Sequence, residues 1–105
     1  SIQGLKAAFV NESAFRQELF LACLFVPAAF YVSESLLQTL FLITLVTLVL
    51  IVELLNTAVE AVVDRISPET HPLSGVAKDV GSAAVLLSLT LAGVSFAASA
   101  WAKFL

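Results

Sequence analysis

Residues 80–102, VGSAAVLLSLTLAGVSFAASAWA, run on without one charged side chain. Few folds accommodate such a stretch, because about 20 apolar helical residues are what it takes to cross the ~30 Å hydrocarbon core of a bilayer. Inside lipid every backbone N–H and C=O must be satisfied internally, so an apolar run of this length reads as a helix. Two more charge-free runs precede it, 19–33 and 35–52. The first is short and holds Pro27, which removes one backbone donor and kinks a helix unless neighbours satisfy the freed carbonyl. The second reaches spanning length only if its helix continues through Glu53 towards Asp64. The expected spans are therefore about 19–33, 35–64 and 78–102. Composition agrees: 60% of the residues are hydrophobic, 12% are charged and the mean hydropathy is +1.03. A soluble domain of 105 residues needs far more polar surface.

The punctuation between the runs is sparse. Ser33-Glu34-Ser35 suffices for a tight turn, and SPETHPLSG at 67–75, with two prolines and a glycine, is the clearest loop. Ahead of the spans, residues 4–18 mix Leu5, Ala8, Phe9 and Phe15 with charges, the pattern of an amphipathic helix on a membrane surface. The chain thus reads as one all-α integral-membrane domain over 1–105. Lys6, Arg16, Arg65 and Lys78 stand on one side of the spans and Lys103 on the other, which places the N-terminus and the second loop in the cytoplasm. A net charge of −3 with five basic residues excludes a nucleic-acid-binding stripe. The single cysteine, Cys23, lies in an apolar run and reads as packing.

The second span carries the chemistry. In VLIVELLNTAVEAVVDR, residues 49–65, the polar residues Glu53, Asn56, Glu60 and Asp64 interrupt continuous hydrocarbon. At 100° per residue they fall at about 0°, 300°, 340° and 20°, within roughly 80° of arc. They form one stripe entering from the cytoplasmic end, with Glu53 deepest. Acids at such depth are expensive and face a bundle interior or a functional site. Three carboxylates in one stripe repel one another, and a divalent cation relieves that repulsion. Carboxylate oxygens suit Mg²⁺, whose shell nucleotide phosphates commonly complete, and a carboxylate held away from water suits a proton acceptor. Asp64 and Arg65 read equally well as markers of the membrane boundary.

The remaining polar groups converge on the same membrane face. Glu12 and Arg16 are i,i+4 neighbours on the N-terminal helix. KDVGS at 78–82 opens the third span, with Lys78 and Ser82 on one face and Asp79 beside them. Asp79 serves equally as a helix cap, Lys78 as a residue snorkelling to headgroups, and His71 as a plain loop residue. With Gly4, Gly75, Gly81 and Gly93 as the only glycines, neither a Walker loop nor a protein-kinase glycine loop exists. Spacing alone leaves both a membrane enzyme and a proton-coupled transporter open, the latter using Glu53 and Glu60 as an exchange pair.

Particular residues narrow the choice. GLKAAFVNESAFRQE at 4–18, VELLNTAVEAVVDR at 52–65 and GVAKDVGSAAV at 75–85 closely resemble the small integral-membrane diacylglycerol kinase of bacteria. The resemblance covers essentially the whole chain. It implies a homotrimer of three-span subunits with sites shared between neighbours, using MgATP to phosphorylate diacylglycerol to phosphatidic acid at the bacterial inner membrane. It further implies Glu53 as the base for the lipid hydroxyl, Glu12 and Glu60 as Mg²⁺ ligands, and Asn56 as a holder of the reacting groups. Lys78 would contact phosphate and Asp79 would position the nucleotide or Lys78. His71 and Gly75 would line the nucleotide end, and Glu18 and Ser82 would sit with Glu53 on the lipid side. A polyprenol (undecaprenol) kinase of the same fold is the neighbouring possibility, although NESAFRQE resembles the diacylglycerol branch. The proline-rich SPETHPLSG departs from the pattern and leaves the nucleotide contacts of that loop open.

Overall fold

The computed structural model describes residues 1–66 and 71–105. Among them four α-helices follow one another: α1 Ile2–Asn11, α2 Ser13–Val32, α3 Leu36–Ile66 and α4 Pro72–Phe104. Among the described residues there is no strand. Three of the four, α2, α3 and α4, are long and apolar enough to cross a membrane, as the charge-free runs predict.

The N-terminal segment departs from the expected single helix over 4–18. The chain breaks at Glu12, whose backbone is extended at φ −117°, ψ 108°, and residues 13–18 belong to α2. Asn11 and Ser13 flank the break, and such short polar side chains compete for backbone groups and favour helix ends. Arg16 settles the joint: its Nη1 donates to the carbonyls of Phe9 at 2.7 Å and Val10 at 3.0 Å, acceptors left over where α1 ends. The Arg16 side chain is thus turned to the backbone of α1, not to the Glu12 carboxylate expected from i,i+4 spacing on one unbroken helix.

Ser35 starts α3. Its Oγ accepts from Gln38 N at 3.1 Å while Gln38 Oε1 accepts from Glu34 N at 2.9 Å, close to a capping box. The start of α4 corrects the loop boundary, for residues 72–75 of the expected 67–75 loop are helical. His71 caps this helix by accepting from Leu73 N at 3.1 Å, and Pro72 occupies the first helical position. Proline is favoured there because its missing N–H would be unpaired anyway; a residue that signals a loop in sequence is here a helix start. Residues 67–70 of the predicted loop lie outside the described residues.

α3 is the central element. It packs along α4 and α2, and a small core of Ala22, Ala29, Leu42, Val46 and Phe96 fills the space between the three. Alanines a heptad apart on α2 let the backbones approach closely, the usual way for helices to pack in lipid. At the end away from Glu53, Lys103 ties α4 to the close of α2, its Nζ donating to the Tyr31 carbonyl at 2.5 Å. Gln38 Nε2 donates to Ser99 Oγ at 2.9 Å, and Ser33 and Thr39 hydroxyls bond to each other, so the polar groups of that end are paired internally.

Candidate functional site

The polar stripe of α3 grades from buried to exposed along its length. Glu53 retains 5% of its accessible surface, Asn56 is half-buried, and Glu60 and Asp64 are exposed. Glu53 is the only acid among the described residues that is fully buried. Its burial follows from position: Glu53 continues the buried face of Leu42, Val46 and Val49, whereas Glu60 and Asp64, on the same face, lie farther along α3 where the neighbouring helices leave it uncovered.

Three other carboxylates, from three parts of the chain, lie in its neighbourhood. Glu60, from α3, and Glu12, from the break before α2, both lie close enough for their charges to act on Glu53. Glu53 in turn acts on Glu18, from the first turns of α2. Among the described residues no three His, Cys, Asp or Glu side chains come together tightly enough to hold a metal ion unaided.

Asn56 links the stripe internally. Its Nδ2 donates to Glu60 Oε1 at 2.8 Å, whereas its Oδ1 is buried without a hydrogen-bond partner among the described residues. Gly81 of α4 lies against that oxygen: a Cβ added at Gly81 would collide with Oδ1 and approach Cγ to 3.3 Å. Farther out, Lys78 Nζ pairs with Asp64 Oδ1 at 2.6 Å, both side chains about half exposed. Glu60 also lies within reach of the Lys78 charge.

Glu18 opens onto a different environment. With Leu21, Phe25, Val49, Leu89 and Phe96 it lines an apolar cavity of about 260 Å³ between α2, α3 and α4. Its Oε2 is buried and without a partner among the described residues. Glu18 thus places a carboxylate on a hydrocarbon-lined cavity, near the buried Glu53.

The structure therefore brings together Glu12, Glu18, Glu53, Asn56 and Glu60, with Lys78 at the rim. Asp79 and Ser82 are exposed on α4, and neither hydrogen-bonds nor ion-pairs with the carboxylates among the described residues. Gly75 occupies the first turn of α4, its N–H bonded to the His71 carbonyl at 3.1 Å, and His71 itself acts as the cap. Sequence reasoning missed Gly81. A glycine in the middle of a long helix was the available signal, because it is costly there unless something approaches closely.

The family model for prokaryotic diacylglycerol kinase matches residues 1–99. The chain is 53% identical to the diacylglycerol kinase of Haemophilus influenzae over 94 residues, covering 90% of this chain and 80% of that protein. Against the diacylglycerol kinase of Escherichia coli it is 48% identical over 104 residues, 99% of this chain and 85% of the other. The Helicobacter pylori diacylglycerol kinase is 39% identical over 105 residues, 100% of this chain and 78% of its own length.

Proposed function

The chain belongs to the prokaryotic diacylglycerol kinase family, and from that premise we propose that it transfers the γ-phosphoryl group of ATP to diacylglycerol, giving phosphatidic acid. The observation that carries this reading is Glu53, buried within a span between an apolar cavity headed by Glu18 and the outward Asn56–Glu60 pair. A water-soluble donor can reach one side of Glu53 and a membrane-bound alcohol the other.

The reaction follows from that placement. An acyl chain of the acceptor lies along the 260 Å³ cavity and presents its hydroxyl to Glu18 and Glu53. Glu53 takes the hydroxyl proton as the oxygen bonds to the γ-phosphorus. The bond from that phosphorus to the β–γ bridging oxygen breaks, and ADP departs. Phosphoryl transfer depends mainly on positioning and charge neutralisation. Asn56 therefore serves by holding Glu60, and Lys78 by exchanging Asp64 for an incoming phosphate. That exchange costs little, since exposed ion pairs contribute only about 0–1 kcal/mol. Ser82 and Asp79 belong to the lipid-side and nucleotide-side margins, and His71 with Gly75 to the nucleotide end.

Mg²⁺ fits the donor set. Its usual shell has one or two carboxylates plus phosphate oxygens and waters, so a protein trio is not needed. Glu60 commits Oε1 to Asn56, which leaves its other oxygen outside that bond, and Glu12 joins from the break. Bound there, the ion would neutralise triphosphate charge. The assembly is a homotrimer with sites shared between subunits, lying in the bacterial inner membrane with the N-terminus and second loop cytoplasmic. The exposed apolar faces of the three long helices support a lipid environment and leave surface for neighbouring subunits.

The test is phosphorylation in detergent–lipid micelles with labelled ATP, offering diacylglycerol and undecaprenol in parallel. Labelled phosphatidic acid is expected. Exclusive labelling of the polyprenol would identify the sister activity, and pH-driven flux in liposomes without ATP consumption would identify a transporter.

A further inference from the structure

We propose that Gly81 of α4 is a positioning residue for the site, setting the place of the Asn56 amide and, through it, of the Glu60 carboxylate. The amide is held from both ends. Its nitrogen donates to Glu60 Oε1 at 2.8 Å, and its buried oxygen, without a hydrogen-bond partner among the described residues, lies directly against Gly81. Any side chain at Gly81 would occupy the volume of that oxygen, since an added Cβ also comes to 3.3 Å from Cγ. Turning the amide over would remove the N–H from Glu60, so relief is available only by moving Asn56 off its place.

The glycine is otherwise unfavourable. In a helix interior it costs conformational entropy that alanine would save, and α4 continues well beyond it on both sides. Gly4 and Gly93, by contrast, face open space, where an added methyl meets nothing within 4 Å. Gly81 also brings α4 against α3 one helical turn from the Lys78–Asp64 ion pair. It couples the separation of α3 and α4 to the orientation of Glu60, one α3 turn away from Asn56. A small shift between the helices would therefore be felt at Glu60.

The kinetic part of the test rests on the kinase reading; a spectroscopic part does not. Asn11 and Asn56 are the only asparagines, so ¹⁵N-asparagine labelling gives two side-chain amide signals in the full chain in micelles. Gly81→Ala is expected to move the Asn56 signal and leave that of Asn11 in place. It should lower kcat by about tenfold or more, because displacements of an ångström near reacting groups carry costs of that order. The Mg²⁺ concentration for half-maximal rate should rise, the lipid KM should change less than kcat, and helicity should be retained. Gly4→Ala, the same added methyl in open space, should leave the kinetics unchanged. Asn56→Gln tests the fit from the other side without altering α4: it keeps the amide but lengthens it, and should be impaired comparably. An unmoved Asn56 signal in Gly81→Ala, or full activity in Asn56→Gln, overturns the proposal. Should wild-type protein lack kinase activity, the amide signals still decide whether Gly81 places Asn56.

Discussion

Glu53 is the buried member of the polar stripe on α3. Its replacement by glutamine keeps shape and hydrogen bonding while removing the proton acceptor. Glu53→Gln is expected to lower turnover about 10²–10⁴-fold, the usual contribution of a general base, while MgATP binding measured by calorimetry survives. Loss of nucleotide binding as well would reassign Glu53 to the metal. Glu60 differs by being exposed and bonded to Asn56. For Glu60→Gln the principal change should be a raised Mg²⁺ requirement in initial-rate titrations, and an unchanged one would remove it from the ligand set. The stripe itself was legible from spacing. Its gradient was not, because spacing cannot say which turn meets a neighbouring helix.

At the level of elements, the joints matter more than the rods. The break at Glu12 is secured by two hydrogen bonds from Arg16 to the end of α1. Arg16→Ala should free α1 and raise amide hydrogen exchange across residues 5–12, with less change in α3; equal protection would show that packing of Ala8 and Phe15 holds the joint alone. At the opposite end Ser35 caps α3, and Ser35→Ala should cost about 0.5–2 kcal/mol in micellar unfolding. The charge-free runs located all three long helices. Their ends were less legible: the break at Glu12 depends on Arg16 reaching back seven residues, and Pro72 reads as a loop signal until its place at the first helical position is seen.

The whole molecule is open. Its radius of gyration is 16.1 Å, where a compact soluble chain of this length would have about 13 Å. Its accessible surface is 7289 Å², against roughly 5,700 Å² for a compact protein of this mass. Phe20, Leu37, Leu55, Leu87 and Trp101 are among the large apolar side chains left exposed. Lipid covers surface of this kind, and neighbouring subunits of the proposed trimer would cover part of it. Light scattering with detergent contribution subtracted should give three times the 11.1 kDa chain mass; a single chain mass would confine the site to one subunit.

Amino-acid order alone determined that three segments are long and apolar enough to span a membrane, and that Glu53, Asn56, Glu60 and Asp64 share one face. Those properties depend on local spacing and on the cost of leaving apolar surface or backbone polar groups unsatisfied. Only the tertiary structure decided that Glu12, at the helix break, and Glu18, beyond it, both lie near Glu53, that Lys78 rests on Asp64, and that Gly81 abuts Asn56. Each of these joins residues distant in the chain or across a helix break, and helical periodicity carries no information about the register between elements.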